Sequence, residues 1–301
     1  MKLMYISLAI FFATGNLLFS GPLRVVTTLP EFASIAEEIG GEKVTTTALM
    51  RGNQDAHYIE PRPSMAVRLR NADLLIVNGM ELDIWVFSLM DVARNSAITF
   101  GRQGYLDVSA DIDKMEVLPP GTRIDASMGH VHPGGNPHYT LDPESGKVVA
   151  RQIMERMSLL SPENAEFFEA NYRKFAGRLD EKIAEWKTMI EEADIGNIIT
   201  YHRNWPYFAR TFGLNLLGEL EPLPGIPPSP GHLARLVETI RQEDVRAILM
   251  VDFYDIRPAR FVQDRADVRI VRVPMHVGGV PGAQDYISFI DTIVGRLVGE
   301  E

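Results

Sequence analysis

From Leu23 onward, apolar runs of strand length alternate with stretches of helical periodicity. Leu23 to Leu29 reads as a buried strand followed by a turn at Pro30, and Glu31 to Ile39 as a helix stopped by Gly40 and Gly41. Lys43 to Met50 predicts a second strand, Pro63 to Asn71 a helix, and Asp73 to Asn78 a third strand. That third strand is apolar almost throughout, as in a parallel sheet covered on both faces. Gly146 to Leu160 is helical. A further helix is expected to open at Ser161, with Ser161 as N-cap and Pro162 at the first helical position, and to run to about Ala193. At 1.5 Å per residue that is a rod of roughly 45 Å, and Gly177 weakens it without ending it.

The alternation then restarts. Strands are expected over Asn197 to Tyr201, Leu214 to Leu220, Ala247 to Asp252 and Val268 to Val273. Helices are expected over Pro206 to Phe212, His232 to Glu243 and Tyr286 to Val298, with a rigid Pro-rich loop over Pro222 to Pro230. Strands alternating with helices make βαβ units. The expected class is therefore α/β: two (β/α) lobes with parallel sheets, joined by a long rigid helix. The divisions are residues 21–160 for the N-terminal lobe, 161–193 for the linking helix and 194–301 for the C-terminal lobe.

Composition adds three constraints. A formal net charge of −10 argues against a nucleic-acid partner, which needs clustered Lys and Arg. Residues 1–20 read as a secretory signal peptide, with Lys2 before an apolar run too short to span a bilayer. Cysteine is absent, so no disulfide and no bacterial-type lipid anchor is expected; the reading is a free periplasmic protein acting as a monomer. Any metal site must then use His, Asp, Glu or water.

Four of the seven histidines fall where strands of such a fold end or where a helix is about to begin: His57, His138, His202 and His276. Ligand sites in open α/β sheets form outside the carboxyl ends of the strands, and two of these histidines belong to each lobe. Facing lobes would bring them into one cleft, where imidazoles suit four-coordinate Zn²⁺. His130 and His132 flank Val131 in a Gly- and Pro-rich loop and read as an accessory capture site or as solvated side chains, and His232 as an ordinary helix-start residue. No nucleophile elbow, Cys nucleophile or H-E-x-x-H pair is present, and Gly278 to Gly282 lacks the GK[ST] of a phosphate-binding loop. A secreted zinc hydrolase would need a general base and substrate pocket that the sequence does not identify.

The segments Asp55 to Ser64, Asn78 to Trp85, Gly135 to Pro143 and Tyr201 to Phe208 resemble the zinc/manganese solute-binding proteins of bacterial ABC transporters, in the same order along the whole chain after residue 20. The resemblance implies two lobes on a backbone helix with one metal ion between them, held by His57, His138 and His202. A His at the third of these positions resembles the zinc branch, with manganese the alternative cargo. Many members place an Asp after the last strand, whereas here the segment is Arg272 to Gly279. His276 is the expected fourth ligand, with Asp252 and water as the other candidates. The implied function is non-catalytic: capture of Zn²⁺ and delivery to a membrane permease, with a periplasmic metallochaperone as a further partner. A metal-buffering or adhesion protein on the same fold is the alternative.

Overall fold

The computed structural model describes residues 21–123, 125, 128 and 131–300; the signal-peptide reading and His130 lie outside them. The N-terminal lobe is built on β1 (Leu23–Thr27), β2 (Val44–Ala48), β3 (Leu74–Val77) and β4 (Tyr105–Asp107). All neighbouring strands pair in parallel, in the order β2-β1-β3-β4. The C-terminal lobe repeats that order with β5 (Asn197–Thr200), β6 (Asn215–Glu219), β7 (Ala247–Val251) and β8 (Arg269–Val273), as β6-β5-β7-β8. Strand order therefore reverses beside β1 in one lobe and beside β5 in the other, and the strand ends there open a crevice.

Helices α1 (Pro30–Gly40), α2 (Pro63–Arg70), α3 (Trp85–Ala93) and α4 (Pro143–Leu160) belong to the first lobe, and α6 (Pro206–Phe212), α7 (Pro230–Gln242), α8 (Arg257–Gln263) and α9 (Tyr286–Val298) to the second. Between them lies α5 (Ala165–Glu192), about 42 Å long at 1.5 Å per residue. It packs on α1 and α4 on one side and on α9 on the other. Asn171 Nδ2 donates to the Ile39 carbonyl at the end of α1, and Trp186 Nε1 donates to Asp291 in α9. Buried Phe168, Phe175, Leu179, Ile183, Trp186 and Ile190 join one apolar core that runs from β1 and β3 through α5 to β5, β7 and α9.

Several boundaries differ from the sequence expectation for identifiable reasons. Pro30 opens α1 instead of making a turn, because its fixed φ and missing N–H suit the first helical position. Ser161 does not cap α5: its hydroxyl donates to the Glu163 side chain, a 3₁₀ turn covers Pro162–Asn164, and the α-helix starts at Ala165. Pro230 ends no loop but begins α7, capped by Ser229, whose hydroxyl accepts from the His232 amide. Three elements, α3, β4 and α8, had no counterpart in the sequence reading.

The lobes are tied beyond α5. The Tyr286 hydroxyl, at the start of α9, donates to the Thr140 and Asp142 carbonyls at 2.9 and 3.1 Å, and the Tyr286 amide donates to Ser34. Gly146 in α4 makes room for that ring: a Cβ there would stand 2.4 Å from the Tyr286 hydroxyl. Near the crevice, a Cβ on Gly52 would stand 2.2 Å from the Val277 carbonyl, so the loops after β2 and β8 touch backbone to backbone.

Candidate metal site

His57, His138 and His202 each offer a ring nitrogen, and the three nitrogens all lie within 4.8 Å of one another. Each side chain arrives from a different element. His57 sits in a 3₁₀ turn (Ala56–Tyr58) after β2, whose N-cap Asp55 accepts from the His57 amide. His138 precedes α4, its amide donating to Asn136 Oδ1. Asn136 is itself held to the opposite lobe, donating to the Arg203 carbonyl at 2.8 Å, while its own carbonyl accepts from the Tyr207 hydroxyl. His202 follows β5, the strand at the reversal point of its sheet.

Carboxylates fix the rings. Asp55 Oδ1 lies 2.8 Å from His57 Nδ1, and Glu221 Oε2 lies 2.7 Å from His202 Nδ1. A carboxylate on Nδ1 selects the tautomer that leaves Nε2 with its lone pair and raises its basicity, which is how metal-binding histidines are usually oriented. Burial pushes the Asp55 carboxyl up, but the hydrogen bonds from His57 together with the charge interactions with His57 and His276 hold it below its ordinary range, so it stays an acceptor. His138 has no such carboxylate, and its buried Nδ1 makes no hydrogen bond. Burial first, and then the facing imidazoles of His57 and His202, push His138 well below the usual histidine range; it is neutral and ready to donate a lone pair.

Two nitrogens on one tetrahedral zinc at 2.0–2.1 Å lie about 3.3–3.4 Å apart, so ring movements on the order of an ångström would close three imidazoles on an ion. Outside them, a cavity of about 470 Å³ reaches His132, His138 and His202 and is otherwise lined mainly by apolar residues such as Val117, Leu118 and Leu223.

The other sequence candidates fall elsewhere. Neither His132 nor His276 offers a nitrogen within 4.8 Å of all three. His276 is buried and its Nδ1 lies 2.7 Å from Glu31 Oε1, across the two lobes. With His57 and His138 it lines a void of about 10 Å³, room for about one water. Asp252 faces Arg296 at 3.3 Å and Arg272 at 3.5 Å instead of the histidines. His232 Nε2 lies 2.8 Å from the Glu219 carbonyl and plays the helix-start role expected of it. His132 stands beside the cluster, its Nε2 3.3 Å from His57 Nε2. Sequence reasoning missed Glu31, Asp55 and Glu221; of these only Asp55 carried a local signal, an acidic residue two positions before a candidate histidine.

The fold matches that of the crystal structure of ZnuA with a TM-score of 0.76 at 20% identity, covering 92% of this chain and 98% of that one. It also matches a Cd-bound periplasmic metal binding protein from candidatus Liberibacter asiaticus with a TM-score of 0.75 at 20% identity, covering 92% and 99%. Among curated relatives, the manganese ABC transporter substrate-binding lipoprotein PsaA of Streptococcus mitis is 26% identical over 254 residues, 82% of this chain and 78% of its own. The metal ABC transporter substrate-binding lipoprotein FimA of Streptococcus parasanguinis is 27% identical over 255 residues, 83% and 79%.

These names correct the expectation of a soluble periplasmic protein with no lipid anchor, since such relatives are lipoproteins. A missing Cys bears only on thioether attachment within these 301 residues and does not fix where the molecule resides. Among the described residues, no helix is long and apolar enough to cross a membrane. The model of one family, described as "ZnuA: Zinc-uptake complex component A periplasmic", matches residues 25–299. Two parallel-sheet lobes, a cluster of imidazoles at their strand ends and a match over nearly the whole described chain lead to one assignment: this chain belongs to the ZnuA family of metal-binding, substrate-binding proteins.

Proposed function

We propose that this chain captures a divalent transition metal and presents it to the membrane permease of an ABC transporter, whose ATPase drives uptake. The observation that carries this reading is the convergence of His57, His138 and His202, from both lobes, to within 4.8 Å. The metal is cargo, and the chain's task is to bind and release it, in keeping with a family of solute-binding receptors. The relatives' names give no support to a metallochaperone partner, and none is included in the proposal.

Zn²⁺ is the proposed cargo. The three convergent donors are imidazoles, and Asp55 and Glu221 are engaged on the far nitrogens of their rings. Imidazole-rich sets suit Zn²⁺, whereas Mn²⁺ prefers carboxylate, carbonyl and water oxygens. A manganese receptor is the second reading, favoured by curated relatives named for manganese, PsaA of Streptococcus mitis and MntA of Halalkalibacterium halodurans. Competition between Zn²⁺ and Mn²⁺ for the metal-free chain, followed by calorimetry and by metal analysis after dialysis, tests the choice. Zinc retained against excess manganese is the expected result; manganese retained instead overturns the zinc assignment, and no retention of either overturns the receptor reading.

A further inference from the structure

The loop before His138 carries a second histidine whose geometry exceeds an accessory role. His132 Nδ1 lies 2.9 Å from the Met80 carbonyl. A carbonyl only accepts, so Nδ1 must carry a proton, and in the neutral ring Nε2 keeps its lone pair. The same holds for His57, whose Nδ1 faces the Asp55 carboxylate. With both rings neutral, two lone pairs face each other across the 3.3 Å between His132 Nε2 and His57 Nε2. Such a contact needs a proton or a metal ion between the atoms, and 3.3 Å is the edge expected of a tetrahedron with zinc–nitrogen bonds of about 2.0–2.1 Å.

The backbone is arranged to deliver this ring. Met80 and Glu81 both adopt positive φ, 49° and 60°, a left-handed conformation that non-glycine residues take only where the surroundings hold them in it. That turn aims the Met80 carbonyl at His132, and the turn is fixed by buried Asp83, which accepts from the Thr28 hydroxyl and from the Asn78 and Gly79 amides. On the other flank of the loop, the Gly135 amide donates to the His132 carbonyl and the Asn136 amide to the Met115 carbonyl.

We propose that His132 is the fourth ligand of the cargo ion, completing a four-imidazole site from a loop and not from the end of the last strand. The proposal rests on the receptor reading above. His276 then serves the site indirectly, tied to Glu31 behind His57 and His138. Because His132 Nε2 is not within 4.8 Å of all three other donors, the loop moves inward as the ion is taken up. A loop-borne ligand is also the one that a docking permease can withdraw without parting the lobes.

The test uses the full chain, metal-free, titrated with Zn²⁺ against a competing chelator and with Co²⁺ read by its visible absorption. His57→Ala, His132→Ala and His276→Ala are compared after circular dichroism has established that each folds. Expected is a loss of zinc affinity of about tenfold or more in His132→Ala, with replacement of the tetrahedral cobalt spectrum by a weaker one of higher coordination number. Unchanged affinity and spectrum in His132→Ala overturn the proposal, as does collapse of the spectrum in His276→Ala alone. Failure of the wild type to bind, or indifference to His57→Ala, would instead defeat the receptor reading itself.

Discussion

Glu31 and His276, 245 positions apart, meet in the interior with 2.7 Å between carboxylate oxygen and Nδ1, and neither is exposed by more than 1%. One stands in the first turn of α1 and the other follows β8, so the pair joins the lobes beside the imidazole cluster. Glu31→Ala would leave the His276 N–H buried without an acceptor. The expected cost is about 1–3 kcal/mol of stability, and less in Glu31→Gln, which keeps an acceptor oxygen. Urea unfolding of the metal-free variants measures it; an unchanged midpoint in Glu31→Ala would show that the pair contributes nothing to holding the lobes.

Removing a donor and removing its orienting carboxylate should differ in degree. His57→Ala and His202→Ala are expected to lose zinc affinity by more than about 100-fold, Asp55→Asn and Glu221→Gln by about 10–100-fold. Chelator competition reads both. Equal effects from all four variants would mean that the carboxylates reach the ion.

Asp83 gives stability a pH dependence of definite sign. Burial raises its carboxyl from 3.8 to about 6, against the pull of its hydrogen bonds from Thr28, Asn78 and Gly79. Between those values the folded chain holds a proton that the unfolded chain has released, so folding takes one up. This contribution is fully present below 3.8 and is lost as pH rises through about 6, up to about 3 kcal/mol in all. Asp83→Asn has no such titration. The unfolding free energy of wild type minus that of the variant should therefore fall between about pH 4 and about pH 7. A flat difference would contradict the raised carboxyl.

Tyr286→Phe removes the donor to two carbonyls of the other lobe and should cost about 1–2 kcal/mol. Gly146→Ala places a methyl against the same ring and should cost about 1–3 kcal/mol. Thermal unfolding followed in both lobes at once is expected to stay a single transition in the wild type. Two separated transitions would show that the shared core does not make the lobes cooperative.

Much of the fold was legible because period and punctuation agreed. Pro206–Phe212 and Tyr286–Val298 form as the sequence predicts, the first ended by Gly213 and the second by Gly299, both in left-handed conformation. The missed elements broke one or the other signal. In α3, Phe87 and Val92 are apolar yet exposed, which blurs the amphipathic period; β4 has three residues and α8 seven. At the site, histidines at strand ends were readable, since strand order in a parallel sheet dictates where loops gather. Pairings were not. Nothing near Glu31 in the sequence points to His276, and the choice between His132 and His276 depends on a carbonyl, Met80, that any residue would supply.

The tyrosine at the start of α9 has a mechanical consequence. A hinge works only if the material across it can be parted at low cost, and here the last helix is anchored in the first lobe while one apolar core runs under both. Pulling the lobes apart would do work against the whole core at once. A transporter that takes its cargo from this chain must therefore grip at the rim, where the force needed is that of moving a loop.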